Sequence, residues 1–511
     1  MLARSYSGAV CGVEARTVEI EVCSSDGTPQ FTMVGLPDQA VKEAKDRVTQ
    51  AIWNSGFRKI ESNITVNLAP ADVRKEGPVY DLPIAITLLA ATGKLTVTGL
   101  EDYALAGELA LSGNVRRVHG ILAITLEMRR IGRRAILVPA ENAEEASVVD
   151  GIDVIPVRTL REAADYLSGQ LEIRPVFTDL VARVNAAQEG GVDFQDVKGQ
   201  FTAKRAIEVA VAGGHNLLMI GSPGAGKTML ARRIPSILPP LTTEEALEVT
   251  RIHSVAGELK SHESLVVRRP FRAPHHTVSD AGLLGGGTHP VPGEVSLAHR
   301  GVLFLDEFPE FRRNVLEVMR QPLEDGHVSI ARAAAACDFP SRFMLVAAMN
   351  PCPCGYADDP RHECRCSQRQ IASYRGKISG PLLDRIDIQL VLPPVSTADL
   401  IEGPPGESSA AIRERVVKAR AIQRRRYAGL TGIHCNAEIP SRDLAQFCKL
   451  DVAGQKRMRM LLTTLDLSAR AYNRVLKVAR TIADLAGSEE VADEHVYEAS
   501  NLRELDRSYW G

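Results

Sequence analysis

The sequence predicts an α/β protein built from several domains. Its 511 residues exceed what a single hydrophobic core usually organises. An apolar run at 217–220 enters a glycine-rich loop and then a helical pattern, and a second apolar run at 302–305 ends in two carboxylates. Nearer the C-terminus, the stretches 410–426 and 466–486 repeat apolar residues at helical spacing. We therefore expect an αβα core that follows another α/β unit and precedes a helical domain.

The composition is that of an ordinary globular protein. Hydrophobic residues make up 45% and charged residues 24%, which excludes a disordered or fibrous chain. The net charge is −2, so no general positive field marks the chain as a binder of nucleic acid. The arginine clusters at 129–134 and 424–426 are short, and such runs are usually solvated helix faces. Any nucleic-acid site must therefore be a local patch.

Neither a leader nor a membrane span is evident in the sequence. The first residues lack a basic segment followed by an apolar run, and no stretch of about 18 apolar residues occurs. The nine cysteines are odd in number, and four of them lie in one short segment. This pattern is typical of reduced thiols with a metal cluster rather than of a disulfide framework. We expect a cytoplasmic protein without a membrane partner.

Changes in composition predict how the chain is divided. Residues 1–172 alternate strand-like and helical segments and are expected to form the first α/β domain. Residues 173–191 mix proline, polar residues and paired glycines, which is typical of a linker. The αβα core is expected at 192–395, with a cysteine-rich loop at 352–366. A loop rich in proline, glycine, serine and glutamate then opens the helical C-terminal domain, 396–511.

The glycine-rich loop has the spacing of a Walker A motif. Its residues are Gly221, Ser222, Pro223, Gly224, Ala225, Gly226, Lys227 and Thr228. Small residues let backbone N–H groups close around phosphates, and the helix that follows presents its positive N-terminal end. Lys227 is expected to bind the β- and γ-phosphates, and the Thr228 hydroxyl to bind Mg²⁺. The predicted cofactors are therefore ATP and Mg²⁺.

Two further strand ends carry polar residues that suit ATP hydrolysis. The run at 302–305 delivers Asp306, the expected Mg²⁺ ligand, and Glu307, the expected base for the attacking water. The apolar run at 343–348 is followed closely by Asn350, whose amide is expected to orient that water. The sequence thus predicts an ATPase.

Three arginines are candidates for contact with the transferred phosphate. Arg385 is expected to complete the site of a neighbouring subunit, because a guanidinium neutralises charge on several phosphate oxygens. Arg470 and Arg474 lie four residues apart on one helical face, and we prefer Arg470 as the sensor of nucleotide. The alternative for each arginine is a surface ion pair. An arginine that acts on a neighbour implies a homo-oligomer.

Four cysteines follow the sensor strand in two pairs. Cys352, Cys354, Cys364 and Cys366 match the four thiolates of a tetrahedral Zn²⁺ site, although their spacing departs from the usual CxxC pairs. His362 is a possible substitute ligand. The alternatives are free thiols or a redox-active pair.

Four segments carry a resemblance to a known family. The strings at 221–228, 272–277, 293–299 and 301–308 resemble those of magnesium-chelatase-type AAA+ proteins. Among these, almost the whole chain is similar to the bacterial ComM/YifB group. The resemblance implies an AAA+ P-loop core with a helical lid domain at its C-terminal side.

The resemblance also implies what the protein does. It implies a hexameric, ATP-driven motor on single-stranded or branched DNA, with helicase and branch-migration activity in recombination and natural transformation. A β-hairpin that faces the pore of the ring is implied at 321–338, where Asp325 and Gly326 also read as a tight turn. The alternative is a magnesium-chelatase-like remodeller of proteins that does not move along DNA. Motifs that bind ATP do not separate these two functions.

The N-terminal domain resembles the proteolytic domain of Lon. The strings at 75–78, 107–113 and 137–139 carry the likeness. In this alignment Val79 occupies the position of the nucleophilic serine and Leu122 that of the lysine. Because neither aliphatic side chain can attack a carbonyl or accept a proton, we expect a scaffold and not a protease.

Overall fold

In the computed structural model, the chain folds around two large β-sheets that are joined by packed helices. The structure describes residues 1–186, 191–260, 263–287, 290–331, 336–357, 359–394, 403–430, 432–464, 468–503 and 509–510. The first sheet belongs to the N-terminal region and the second to the region that contains the Walker A motif. The C-terminal region is helical throughout its described elements.

The N-terminal region is a mixed sheet with helices. Its strands are β1 (Leu2–Cys11), β2 (Glu14–Ser25), β3 (Phe31–Val34), β4 (Asn63–Ala69), β5 (Tyr103–Leu105), β6 (Glu108–Leu109), β7 (Val115–Arg116), β8 (Ala135–Pro139) and β9 (Asp153–Val157). Its helices are α1 (Gln39–Lys42), α2 (Ala44–Asn54), α3 (Asp81–Ala91), α4 (Ile121–Arg130), α5 (Ala143–Ala146) and α6 (Leu160–Leu167). The main sheet has the order β3-β4-β2-β1-β5-β8-β9. Helix α3 is buried along its whole length, because it lies between this sheet and neighbouring helices.

The second sheet is parallel. The strands of this region are β10 (Leu217–Gly221), β11 (Phe271–Arg272), β12 (Gly285–Gly286), β13 (Val291–Pro292), β14 (Val302–Leu305), β15 (His327–Ala331), β16 (Ala336–Pro340), β17 (Met344–Met349) and β18 (Ile388–Leu392). Its helices are α7 (Leu180–Ala186), α8 (Phe201–Gly213), α9 (Lys227–Ile237), α10 (Thr243–Ala256), α11 (Asp280–Leu284), α12 (Glu294–Leu297), α13 (Arg313–Val318), α14 (Arg320–Asp325), α15 (Gln368–Arg375) and α16 (Gly380–Leu383). The large sheet has the order β11-β14-β17-β10-β18. Alternate residues of β10 enter the hydrophobic clusters on its two faces, as expected for a sheet covered by helices on both sides.

The C-terminal helices share a core with one face of this sheet. They are α17 (Ser409–Arg426), α18 (Leu444–Phe447), α19 (Val452–Thr464), α20 (Ala469–Ala486) and α21 (Asp493–Asn501). Helix α8 packs against β18 on one side and against α17 and α20 on the other. Buried apolar residues of all these elements form one continuous cluster. The predicted fold class is therefore confirmed, with an N-terminal α/β domain, an αβα core and a helical C-terminal region.

The segment expected to be a linker, 173–191, is exposed over most of its described residues but is attached to its neighbours at several points. Val176 N donates to Val154 O over 2.9 Å, which extends the edge of the first sheet. Helix α7 then contacts α10, and Val184 is buried in a cluster that includes residues of both regions. The N-terminal and core regions are therefore held together by apolar packing.

The predicted hairpin exists, but its predicted turn is wrong. Strands β15 and β16 pair from His327↔Pro340 to Ala331↔Ala336. Asp325 instead ends helix α14, and Gly326, with φ of 69°, is its left-handed C-cap. Glycine at this position commonly ends helices, which explains how the same dipeptide was mistaken for a hairpin turn. The residues that join the strands, 332–335, lie outside the described residues.

Within the described ranges, no helix is both long and apolar enough to cross a lipid bilayer.

Candidate active site

Three neighbouring strands bring the predicted ATPase residues to one edge of the parallel sheet. The Walker A loop follows β10, Asp306 follows β14, and Asn350 follows β17. These strands are adjacent in the order β14-β17-β10 and run in the same direction. Their carboxyl ends therefore meet, which is where ligands bind in open parallel sheets.

The Walker A loop has the backbone geometry of a phosphate cradle. Gly224 and Gly226 have φ values of 81° and 90°, which L side chains rarely adopt. Helix α9 begins directly afterwards at Lys227, and no side chain caps its first turn. The N–H groups of that turn are therefore available to an anion at the positive end of the helix.

The Lys227 ammonium is directed into this loop. Its Nζ donates to Gly221 O over 2.6 Å, to Ser222 O over 3.1 Å and to Asn350 Oδ1 over 3.1 Å. Burial lowers the pKa of Lys227, while the charge of Asp306 acts in the opposite direction. The ammonium is thus held between the Walker A turn and the predicted sensor, where phosphate oxygens can replace its present acceptors.

The hydroxyl and the carboxylate predicted to bind Mg²⁺ touch each other. Thr228 Oγ1 donates to Asp306 Oδ2 over 2.7 Å, and the other carboxylate oxygen accepts from Glu307 N over 2.9 Å. Two oxygen ligands fixed side by side fit Mg²⁺, which prefers oxygen donors and few protein ligands.

Glu307 carries a contact that the sequence analysis missed. Its backbone is left-handed, with φ of 52°, and its side chain is exposed. His276 Nδ1 lies 3.0 Å from Glu307 Oε2. The string 272–277 was noted only as a family likeness. The contact arises because β11, which precedes His276, pairs with β14, so the segments that follow the two strands lie side by side, and no local pattern in the sequence indicated this pairing.

Gln200 is a second residue that the sequence analysis missed. It adopts a left-handed backbone with φ of 52° before α8. Its Nε2 donates to Ala225 O over 3.3 Å and to Pro393 O over 2.9 Å. Gln200 therefore ties the Walker A turn to the end of β18. No local motif in the sequence indicated this role, because the three residues are far apart along the chain.

Arg385 lies at the opposite edge of the sheet from the Walker A loop. It comes shortly before β18, and its carbonyl accepts from Asn216 Nδ2 over 2.9 Å, where Asn216 immediately precedes β10. Strand β10 has five residues. At about 3.3 Å per residue, the two edges are on the order of 15 Å apart. Arg385 therefore does not reach the phosphate loop of its own chain.

The other two arginines lie beside Arg385. Arg470 Nη1 donates to Asp384 Oδ2 over 3.2 Å, and Arg474 Nη1 donates to Asp387 Oδ1 over 2.5 Å. All five residues line a cavity of about 810 Å³ at the amino edge of the sheet. The structure thus brings the arginines together, but not with the Walker A loop of the same chain.

Arg385 is only partly satisfied in this cavity. It forms an ion pair with Glu324 and donates to Pro381 O. Its buried Nε has no hydrogen-bond partner among the residues that the structure describes. Burial lowers the pKa of Arg385, and the charges of Arg470 and Arg474 act in the same direction. Each of the three arginines pairs with a carboxylate, but the unused Nε donor of Arg385 is suited to an anion.

The four cysteines converge as a metal site requires. Their Sγ atoms all lie within 4.8 Å of one another, and Cys352 Sγ lies 3.3 Å from Cys354 Sγ and 3.7 Å from Cys364 Sγ. Thiolates around tetrahedral zinc, at about 2.3 Å from the metal, lie about 3.8 Å apart. Ala357 N donates to Cys352 Sγ over 3.3 Å. Tetrahedral Zn²⁺ therefore fits these residues.

Within the cluster the thiolate of Cys354 is stabilised, whereas the pKa of the Cys364 and Cys366 thiols is raised. Backbone N–H groups of Tyr356 and Arg365 lower the pKa of Cys354 to about 6. His362 is exposed, pairs with Asp359 over 3.6 Å and lies tilted against the ring of Tyr356. The predicted substitute ligand is therefore outside the group of four sulfurs.

The two positions of the Lon-type dyad are part of apolar packing. Leu122 is buried in helix α4, and Val79 is half-buried against the same cluster. This cluster also contains Leu241 and Ala246 of the core region. The positions of the Lon-type dyad therefore belong to the apolar cluster that joins the N-terminal region to the core region.

Comparison with known proteins identifies the family. Three profiles match: "Magnesium chelatase, subunit ChlI" at 193–400, "Subunit ChlI of Mg-chelatase" at 20–142, and "Magnesium chelatase, subunit ChlI C-terminal" at 406–503. A more distant likeness, 26% identity over 182 residues, links the chain to Lon protease homolog 2, peroxisomal, of Caenorhabditis elegans. It covers 34% of this chain and 23% of that protein.

Two bacterial relatives match from end to end. Competence protein ComM of Haemophilus influenzae is 45% identical over 510 residues, which cover 99% of this chain and 98% of that protein. The protein YifB of Escherichia coli is 45% identical over 504 residues, which cover 98% and 97% of the two chains. Identity at this level over whole chains, together with the AAA+ architecture described above, shows that the chain belongs to the ComM/YifB family of magnesium-chelatase-type AAA+ proteins.

Proposed function

We propose that this protein is an ATPase whose active sites form between subunits of a ring, and that it uses ATP hydrolysis to move and remodel DNA. The observation that carries the ring is the separation of Arg385 from Lys227 across the sheet. A head-to-tail ring joins two different surfaces of each subunit, and we propose that these are the amino edge of one subunit and the carboxyl edge of the next. The phosphate loop of one chain and the arginines of its neighbour then complete one site.

In the proposed reaction each residue has a separate task. The Walker A amides and Lys227 bind the phosphates, and Thr228 and Asp306 hold Mg²⁺, which neutralises phosphate charge when bound. Glu307 accepts the proton of the attacking water, and Asn350 orients that water. Arg385 of the adjacent subunit, with Arg470, stabilises the charge that develops on the transferred phosphate.

DNA is the proposed substrate of this motor. Support comes from the relative named competence protein ComM, which matches over nearly its whole length. The β15–β16 hairpin of the core is the element that we propose contacts DNA. Because the net charge is only −2, a single chain offers little general attraction for DNA, whereas a hexamer would combine local patches from several subunits. We therefore propose a hexamer on single-stranded or branched DNA, with helicase and branch-migration activity in recombination and natural transformation.

Zn²⁺ is the proposed occupant of the four-cysteine loop. The separations of the four sulfurs and the N–H donors to Cys352 and Cys354 support it. A metal cross-link also gives order to a loop that contributes few apolar side chains to the core.

The rate of ATP hydrolysis with and without DNA tests this function. The protein should be assayed alone and with single-stranded, duplex and four-way-junction DNA of equal nucleotide concentration. Stimulation by single-stranded or branched DNA, lost as salt is raised, is expected, because phosphate contacts release counterions. Stimulation by none of these would contradict the DNA motor and favour the alternative, a remodeller of proteins related to magnesium chelatase.

A further inference from the structure

The four-cysteine loop touches the Walker A turn at one glycine. Gly355 has φ of 88°, and a Cβ placed on it would lie 2.7 Å from Pro223 Cδ and 3.9 Å from Asn350 Cγ. Carbon atoms do not approach within 3.0 Å without displacement. The loop that holds the cysteines is therefore packed against both the phosphate loop and the predicted sensor.

The same loop is connected to the sensor through the backbone. Only Pro351 separates Asn350 from Cys352. The Pro351 carbonyl accepts from Arg375 Nε over 3.1 Å, which ties the start of the loop to helix α15. At the other end, Ser367 begins α15 with a capping box directly after the last cysteine. Both ends of the loop are thus fixed, and its middle rests on the Walker A turn.

The loop has little other means of holding its shape. In the described part of 352–366, the hydrophobic residues that are buried are Cys352 and Ala357. A bound metal would join the loop's four sulfurs and restrict its conformations. Conversely, without that cross-link the contact at Gly355 is free to shift by the fractions of an ångström that matter for a phosphate cradle.

We propose that the zinc-bound four-cysteine loop positions the Walker A turn and Asn350, so that loss of the metal weakens ATP binding. The proposal rests on the ATP and zinc sites proposed above. Cys352 and Gly355 are positioning residues in this scheme, because they act through Asn350 and Pro223 and do not touch nucleotide.

The substitution Gly355→Ala tests the contact. Zinc per chain, the Kd for a fluorescent ATP analogue and the turnover rate should be measured together. We expect zinc to be retained and the Kd to rise at least about fivefold, because the new methyl group overpacks against Pro223. The matched control is Gly169→Ala, where φ is 74° and a Cβ meets nothing within 4 Å. Retained zinc with an unchanged Kd and turnover would overturn the proposal.

Removal of the metal tests the coupling without relying on that variant. The wild-type protein should be stripped of zinc with a chelator, resupplied with Mg²⁺ and titrated with the analogue before and after zinc is restored. Weaker binding that zinc reverses is expected, as is the same weakening in Cys366→Ser but not in Cys23→Ser, whose thiol is exposed and outside the cluster. Unchanged binding in the stripped protein would contradict the proposal.

The outcomes separate this proposal from the sites on which it rests. If the ATP site is wrong, no protein in the series binds the analogue, including the wild type. If the zinc site is wrong, the purified wild-type protein carries no zinc. Either result also overturns the coupling, whereas a wild type that holds both ligands while the stripped protein binds ATP unchanged overturns the coupling alone.

Discussion

At the carboxyl edge of the parallel sheet, Lys227 finds three oxygen acceptors within its own chain, whereas at the amino edge Arg385 keeps a buried Nε without a hydrogen-bond partner among the described residues. The first edge has a glycine turn, a helix N-terminus and a hydroxyl–carboxylate pair. The second has a cavity of about 810 Å³ in which arginines are crowded enough to depress the pKa of Arg385 beyond the effect of its burial.

This difference supports the proposal that one chain carries halves of two different sites. The carboxyl edge carries the residues proposed to bind nucleotide and Mg²⁺, and none of the three candidate arginines Arg385, Arg470 and Arg474 lies there. The amino edge has arginines but no phosphate cradle. A ring in which the amino edge of one subunit meets the carboxyl edge of the next would bring the arginines to the phosphate loop.

The largest effect on ATP binding is expected from Lys227→Ala at the carboxyl edge. Loss of the ammonium removes charge-assisted bonds to phosphate and should weaken ATP binding by more than roughly 100-fold. Isothermal titration with ATP and Mg²⁺ measures this. The exposed Lys418, which pairs with Glu414, is the control, and Lys418→Ala should bind normally. Equal affinity in Lys227→Ala and wild type would remove the phosphate site from this edge.

At the amino edge, Arg385→Ala should leave ATP binding intact and lower turnover by roughly 1,000-fold. Mixing it with Glu307→Gln subunits is the sharper measurement. If Arg385 acts on a neighbour, some mixed interfaces combine an intact Glu307 with an intact Arg385, and turnover rises above that of either variant. If turnover does not rise in the mixture, the proposal that Arg385 acts on a neighbouring subunit is contradicted. Loss of ATP binding in Arg385→Ala by itself would contradict it as well.

Glu307→Gln should retain ATP and slow its hydrolysis by roughly several hundredfold, because the amide cannot accept a proton from water. Single-turnover hydrolysis and nucleotide titration on the same preparation separate the two quantities. Exposed Glu310 is the control, since it pairs with Lys377 at 3.2 Å. A variant that hydrolyses ATP normally would assign the base to another residue.

A smaller loss of turnover, roughly tenfold, is expected from Arg470→Ala, because its guanidinium is exposed and its contribution is screened by solvent.

Arg474→Ala should instead destabilise the fold, because it removes the ion-pair partner of the buried Asp387. Burial raises the pKa of Asp387, but the charge of Arg474 and the bond to His215 outweigh this and hold it below its usual value. Thermal unfolding and turnover should be measured on both variants. We expect Arg470→Ala to lower turnover and Arg474→Ala to lower the unfolding temperature.

Substitution of the cysteines is expected to have the smallest effect on ATP binding and turnover. Its clearest effect should be on the zinc content of the protein. Purified protein should contain about one zinc per chain, and Cys352→Ser should lose it, since three thiolates bind far more weakly than four. Elemental analysis decides this, with Cys448→Ser as a buried cysteine outside the cluster. Unchanged zinc in Cys352→Ser would put the metal elsewhere.

The parts of the candidate site that could be predicted from the sequence are those formed by local motifs. The Walker A turn depends on glycines within eight residues, and Asp306 and Asn350 each follow an apolar strand, so their position at a strand end could be inferred without a structure. The contacts of Gln200 and His276 could not, because each joins segments that are distant in the chain. The hairpin turn was misplaced because the dipeptide Asp325–Gly326 suits a helix end as well as a turn.

The α/β class, the phosphate loop and the four-cysteine group could be predicted from residue types at short spacing. The edge of the sheet that each residue occupies depends on contacts between distant parts of the chain and was seen only in the structure. Strand order, set by non-local pairing and burial of apolar faces, puts Lys227 and Asn350 together and keeps Arg385 about one strand length away. It also packs Gly355 against Pro223, because loops that follow adjacent parallel strands must share the space at their carboxyl ends.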